Sequence, residues 1–241
     1  MSTFIDAVTQ ANREIYDTLS TGLSEEMLSK HNIGAGGDIS RGFDLYAESI
    51  FVKYLSSFGK IESEESGSIG SGDCTIILDP LDGSSNLLSS LPYYGTSVAI
   101  IDSDGMLDTA IVCNLANSDI FIKESGKALL KGSLSSDIHS EVKANSYSDT
   151  GIFERSYLAP EISSKLKDSS LKYRSLGAVA LSLAYAHSVK FFLLLGPIRM
   201  YDVAAGLSFC EDLTVIVEDE YVIVSQNKEI ALKIETIVKG S

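Results

Sequence analysis

Apolar residues along the chain fall into stretches of helical and of strand-like period. Phe4, Ile5, Val8, Ile15 and Leu19 recur at roughly helical spacing and predict a first helix over residues 3–20. The stretch 31–37, which contains Gly and Asn, predicts a loop. A second helix is predicted over 43–58, with Leu45, Ile50, Phe51, Tyr54 and Leu55 on one side. Residues 60–69 are polar and acidic, with room for one small strand at most. Thr75-Ile76-Ile77-Leu78 is a continuous β-prone apolar run and predicts a buried strand, which Asp79-Pro80 is expected to end. After the Asp82-Gly83 turn, Ser84, Ser85 and Asn86 can cap a short helix. Residues 94–102, 108–114 and 118–123, separated by Asp-Gly and Asn/Ser turn signals, predict neighbouring antiparallel strands.

Residues 131–148 are Ser-rich and short of large apolar side chains, which places a subdomain boundary nearby. The expected division is an N-terminal α+β subdomain over 1–140 and a C-terminal α/β subdomain over 141–241. The second half alternates: a helix from Pro160, a strand near Lys172, a helix over 178–187, a strand over 190–195 and a helix over 203–211. A strand pair (214–217 and 221–225) and a last helix over 228–238 follow. No internal repeat is visible. The pattern predicts mixed α and β elements in stacked layers.

Composition narrows the function. The chain has 241 residues, of which 44% are apolar, enough for a large core in one domain or two tightly joined subdomains. Its formal net charge is −14, from 19 basic and 33 acidic residues. That balance disfavours nucleic-acid binding, which needs clustered Lys and Arg against phosphates. A phosphate ester meets the same repulsion unless bound divalent cations reverse the local field. Cys74, Cys113 and Cys210 are far apart and form no CxxC pair, as expected of a reduced, cytoplasmic protein. His31, His139 and His187 are equally scattered, and a structural or surface role is the plain expectation for each. No signal peptide is apparent at the N-terminus. The most apolar segment, 177–198, is interrupted by His187 and Lys190, so a buried helix and strand are expected rather than a membrane span.

The strongest chemical feature is Asp79-Pro80-Leu81-Asp82-Gly83-Ser84-Ser85-Asn86. A strand delivers two carboxylates onto a proline-stiffened turn, where both can face one small volume, as hard cations such as Mg²⁺ require of oxygen ligands. The Leu81 carbonyl lies between them as a further oxygen. Gly83 lets a ligand approach the main chain, and the amides of Gly83, Ser84 and Ser85 can open a helix N-terminus towards a phosphate. A strand, an ordinary Asp-Gly turn and an N-cap account for the octapeptide equally simply. Other acidic groups are individually ambiguous. Asp38, Asp44 and Glu48 stand near the start of the second helix, Asp44 and Glu48 sharing a face at i, i+4; a solvated face explains them as well. Glu64-Glu65-Ser66 can be a surface loop, and Asp202 in Tyr201-Asp202-Val203-Ala204-Ala205-Gly206 can be a helix N-cap.

Taken in order, these motifs resemble the inositol monophosphatase and fructose-bisphosphatase superfamily. Its pattern is an Asp–Thr–Asp–Glu helix start, a Glu-Glu loop, Asp-Pro-Ile/Leu-Asp-Gly-Thr/Ser, and a late Trp-Asp-x-Ala-Ala-Gly. Here these stand as Asp38 to Glu48, Glu64-Glu65, Asp79 to Ser84 and Tyr201 to Gly206. The resemblance implies a layered α-β-α-β-α sandwich of the sugar-phosphatase type. It also implies a phosphatase that hydrolyses a small sugar or polyol monophosphate with about two or three Mg²⁺ ions per site. Glu64, Asp79 and the Leu81 carbonyl match the ligands of a first ion, and Asp79, Asp82 and Asp202 those of a second. A third, weaker ion at Glu64, lithium sensitivity and a homodimer are further implications. Asp44 and Ser84 match residues that help orient the attacking water, and Gly83, Ser84 and Ser85 face the substrate.

Departures bear on the substrate. Tyr201 replaces the usual Trp, Arg41 and Gly42 stand within the early motif, and Ser84-Ser85-Asn86 is the wording seen in fructose-bisphosphatases. Leu195, seven residues before Asp202, stands where inositol enzymes often carry a Glu for substrate hydroxyls. The expectation from Leu195 is no strong preference for inositol 1-phosphate. A fructose-1,6-bisphosphatase is the alternative enzyme, though no basic cluster for a second phosphate is evident in the sequence. A non-catalytic regulator binding transcription machinery is the alternative of another class.

Overall fold

Thr3 and Asp6 exchange backbone-to-side-chain hydrogen bonds of 3.1 Å each and start the first helix with a capping box. The computed structural model describes residues 3–240. Helix α1 (Phe4–Thr21) is followed by a short α2 (Glu25–Leu28), a hairpin of β1 (Lys30–Ile33) and β2 (Ile39–Arg41), and α3 (Gly42–Leu55). Then come β3 (Lys60–Ser63), β4 (Gly67–Ile69), β5 (Thr75–Asp82) and α4 (Ser84–Leu88). The meander β6 (Gly95–Ile101), β7 (Leu107–Asn114), β8 (Asp119–Glu124), β9 (Leu130–Ser133) and β10 (Ser136–Glu141) follows. The remainder is β11 (Thr150–Glu154), α5 (Pro160–Asp168), β12 (Lys172–Arg174), α6 (Val179–Ala184), β13 (Phe192–Leu195), α7 (Met200–Ser208), β14 (Thr214–Glu218), β15 (Tyr221–Ser225) and α8 (Lys228–Lys239).

Two sheets organise these elements. One has eight strands in the order β10-β9-β8-β7-β6-β5-β3-β4, and the other five in the order β12-β11-β13-β15-β14. Side-chain alternation along the strands sorts residues into three apolar cores. Val98, Ile100, Ile111, Cys113, Ile120 and Ile122 face α1 and α3, whereas Ala99, Ala110, Val112 and Phe121 point the opposite way. That opposite face meets α6 and α7, which also receive Ile152, Phe192, Leu194, Val222 and Val224 from the five-stranded sheet. Phe153, Leu193, Tyr221 and Ile223 cover the far side, against Ile162 and Leu166 of α5 and Ala231 and Ile234 of α8. The layers therefore run α-β-α-β-α, as the motif resemblance implied.

Several local expectations are corrected. Residues 31–37 are not wholly loop: β1 pairs antiparallel with β2, through strands too exposed and short to show apolar alternation. Residues 60–69 hold two strands rather than one. The Ser-rich stretch after Lys131 still pairs as β9, which is half-buried throughout, and β10, which is largely exposed, and neither needed an apolar period. Proline does not end β5. Pairing with β3 stops at Leu78, and the register with β6 shifts between Asp79 and Asp82, so Pro80 sits where no amide is demanded of it. Helix α7 begins at Met200, which puts Asp202 inside its first turn instead of at the N-cap. Among the described residues no helix is long and apolar enough to cross a membrane.

The small residues after Asp202 serve packing. Gly206 is buried where α7 crosses α6, and a Cβ built there lies 2.4 Å from the Leu183 Cβ. Gly206→Val is expected to force the two helices apart and to destabilise the chain by about 3 kcal/mol, measured by urea unfolding.

Candidate active site

The β5 strand carries its apolar side chains into the core and then, at the register shift, turns two carboxylates towards a pocket. Asp79 is 2% exposed and its Oδ1 accepts the Leu81 amide at 2.9 Å, folding the carboxylate over its own turn. Asp82 is also buried, with its two oxygens accepting the amides of Val179 (2.9 Å) and Leu181 (2.8 Å) at the start of α6. Glu64 comes from the β3–β4 turn, which is tied to β5 by the Glu64 amide donating to the Leu78 carbonyl at 3.0 Å. Asp202 arrives from the first turn of α7 and is 2% exposed. One oxygen from each of Glu64, Asp79 and Asp202 lies within 4.8 Å of the others.

Such crowding is electrostatically costly. Burial, then Glu64, Asp82 and Asp202, hold the Asp79 carboxyl well above the usual carboxylate range. Burial likewise pushes Asp82 up to about 8 and Glu64 to about 7, the latter despite an opposing Arg199. Asp44, in the first turn of α3, is raised to about 7, again chiefly by burial. Its Oδ2 accepts the Arg41 amide at 2.8 Å, while its buried Oδ1 has no hydrogen-bond partner among the described residues.

Asp44 and Glu48 do not form a solvated helix face. Glu48 is 6% exposed and accepts the Ser66 amide at 3.0 Å and the Ser66 hydroxyl at 2.5 Å, clamping the turn that carries Glu64. Glu65 accepts the Ser40 hydroxyl. Asp38 lies in the β1–β2 turn, ahead of α3, and is exposed.

A pocket of about 800 Å³ opens over these groups, lined among others by Asp44, Leu81, Gly83, Ser84 and Ser85. Gly83 is the N-cap of α4 with φ +87°, and a Cβ there meets the Ala178 Cβ and the Tyr93 carbonyl at 3.0 Å each, so glycine is required on both counts. No side-chain bond caps α4, contrary to the expectation for Ser84, Ser85 and Asn86. Asn86 instead donates to the carbonyls of Tyr93 and Leu176, both at 2.7 Å. Leu195 does not line the pocket. Along β13, Phe192 and Leu194 face the central core and Leu193 and Leu195 the outer one, which points Leu195 away from the pocket.

Cationic groups were missed. Arg199 grips both oxygens of Asp202, through Nε at 3.0 Å and Nη2 at 2.9 Å, and its Nη1 reaches Asp38 and Glu64 at 2.8 Å each. Arg155 donates to Asp202 at 3.2 Å and to the Pro197 carbonyl at 2.8 Å. With Arg41 they give the pocket wall three guanidinium-bearing residues. Two of them, Arg155 and Arg199, are engaged by the acidic group itself. The nearness of Arg199 to Asp202 was the only local signal.

The sequence model of the inositol monophosphatase family matches residues 2–213. The chain belongs to that family. A family relative from Methanothermobacter thermautotrophicus, named fructose-1,6-bisphosphatase/inositol-1-monophosphatase, is 30% identical and aligned over 88% of this chain and 81% of its own length. Nus factor SuhB from Escherichia coli K12 is also 30% identical, over 76% of this chain and 72% of its own. The extragenic suppressor protein suhB of Bartonella henselae has the same fold, with a TM-score of 0.83 at 22% identity and 99% of both chains covered.

The acidic cluster of this family member suits a hard divalent cation. All its donors are oxygens, and three carboxylates converge in a desolvated space, with Asp44 on the wall of the same pocket. Nitrogen and sulfur donors of a zinc-type set are absent from it.

Proposed function

We propose that this chain is a Mg²⁺-dependent phosphatase acting on a small phosphorylated sugar or polyol. The observation that carries the proposal is the convergence of Glu64, Asp79 and Asp202 in a buried, mutually repelling group under an open pocket. Glu64, Asp79 and the Leu81 carbonyl hold one cation, and Asp79, Asp82 and Asp202 hold another. Bound cations supply charge neutralisation and Lewis acidity at a phosphate ester. The chain's own groups do the rest. Asp44 and Ser84, both on the pocket wall, orient the attacking water. The amides of Gly83, Ser84 and Ser85 face the phosphate. The relative's double name supports this substrate class.

Release of inorganic phosphate tests the proposal, with and without Mg²⁺, across inositol 1-phosphate, glycerol phosphates, hexose phosphates and fructose 1,6-bisphosphate. The last compound tests whether Arg41 on the pocket wall, with Arg155 and Arg199 if released from their carboxylates by bound cations, receives a second anionic group. No Mg²⁺-stimulated release from any ester sinks the proposal and favours a non-catalytic, regulatory reading, the class to which the relative named Nus factor SuhB points. Asp44→Asn is expected to lower kcat by about 10²–10⁴-fold with KM little changed, measured by steady-state kinetics on the best substrate.

A further inference from the structure

Glu154 ends β11 and is 1% exposed, yet no lysine, arginine or histidine pairs with it among the described residues. A buried carboxylate without an ion pair must be satisfied by hydrogen bonds. Its oxygens accept the Ser182 hydroxyl at 2.6 Å, the Gly177 amide at 2.8 Å and the Leu176 amide at 3.3 Å. The next amides along the same segment, those of Val179 and Leu181, hold the two oxygens of Asp82.

The segment 176–182 is thus stretched between two carboxylates, one from each sheet. Asn86 fixes its start by donating to the Leu176 carbonyl, and the Tyr93 hydroxyl lies 3.1 Å from the Ser182 hydroxyl. Gly177 turns with φ +80°, so amides on either side of it can aim at different acceptors. If Glu154 let go, the Leu176 and Gly177 amides would lose the acceptor that fixes their direction, and the turn would be free to re-aim them at other acceptors or at solvent. Its Val179 and Leu181 amides would move with it.

We propose that Glu154 is a positioning residue that sets the orientation of the Asp82 carboxylate through the 176–182 turn, a role that rests on Asp82 being a cation ligand as proposed above. Glu154 lines the same pocket, but in this role it acts through the turn and not by contact with cation or substrate. Its neighbour Arg155 reaches Asp202 directly, so the end of β11 governs two of the carboxylates at once.

Glu154→Gln tests this with little change of shape. One oxygen becomes an NH₂ group, which cannot accept an amide. The probe is Mn²⁺ binding to the full chain, followed by calorimetry alongside hydrogen exchange at Val179 and Leu181. Expected are a cation affinity weakened by about 10–100-fold, faster exchange at both amides, and a kcat recovered at high cation concentration with KM for the ester unchanged. Ser182→Ala, which removes one bond and keeps the charge, is expected to shift affinity and exchange in the same direction by less, and it decides the matter if Glu154→Gln does not fold. Wild-type cation affinity together with wild-type exchange at Val179 and Leu181 overturns the proposal. A wild-type chain that binds no Mn²⁺ refutes the cation site itself. Unchanged exchange in Glu154→Gln refutes the positioning role, so the two failures are told apart.

Discussion

Replacing Asp79 with asparagine is expected to abolish phosphate release while making the chain more heat-resistant in chelator. Asp79 sits at the centre of the acidic group, 2% exposed and repelled by Glu64, Asp82 and Asp202. Asparagine keeps an oxygen for the Leu81 amide and removes one of the crowded charges, so the cluster loses repulsion that folding otherwise has to overcome. The same change removes the carboxylate proposed to serve both cations. A loss of at least about a thousandfold in kcat is expected, the upper end for one preorganised electrostatic group. Melting curves and turnover on the same samples check both halves. Near-normal turnover refutes the assignment, and a lowered melting temperature in chelator refutes the account of the repulsion.

The second large effect is a dependence of stability on pH that cation binding reverses. Asp44 and Glu64 are raised to about 7 and Asp82 to about 8, against ordinary values near 4. The folded chain therefore retains protons that the unfolded chain has already released. Stability contributed by these groups is fully present below about pH 4 and is lost as pH climbs through 7 to 8. Between pH 5.5 and 8.5 in chelator, unfolding free energy is expected to fall by several kcal/mol, as an order of magnitude. Saturating Mg²⁺ binds the ionised form and is expected to add about 2.7 kcal/mol at a hundredfold excess over its Kd, with a larger gain at higher pH. Urea titrations at both pH values, with and without Mg²⁺, measure it. A flat profile in chelator contradicts the account.

Much of the fold was legible where burial imposes a period. The helices at Phe4–Thr21 and Gly42–Leu55 and the strands at Thr75–Asp82, Gly95–Ile101 and Tyr221–Ser225 announce themselves through apolar positions facing a core. The strands at Lys30–Ile33, Gly67–Ile69, Leu130–Ser133 and Ser136–Glu141 do not, because backbone pairing holds them and none of their residues is fully buried. Pro80 misled for a related reason: whether a strand needs an amide at one position depends on its neighbours, which local sequence does not reveal.

The site divides the same way. Its acidic members occur as short motifs in a recognisable order, and Glu64, Asp79 and Asp202 do meet. Arg155, Arg199 and Glu154 belong to no local pattern. Their meaning depends on β11 and the start of α7 converging on one pocket, a product of the layered packing. In a chain of net charge −14, the few arginines gathered there matter more than the overall balance suggested.

The hairpin over residues 30–41 supplies Gly36, Gly37, Asp38 and Ile39 to the pocket wall but adds no side chain from that turn to the three apolar cores. It is moored by polar links: the Gly36 and Ala35 amides to the carbonyls of Glu64 and Glu65, and Arg199 to Asp38 and the Gly36 carbonyl. The exposed Asp38 and Ile39 can therefore change with little loss of core packing, whereas Gly36, whose Cβ would lie 2.5 Å from the Glu64 side chain, and Gly37, at φ +94°, are held to glycine. That part of the pocket rim is open to change while the carboxylates beneath it, locked between layers, stay as they are.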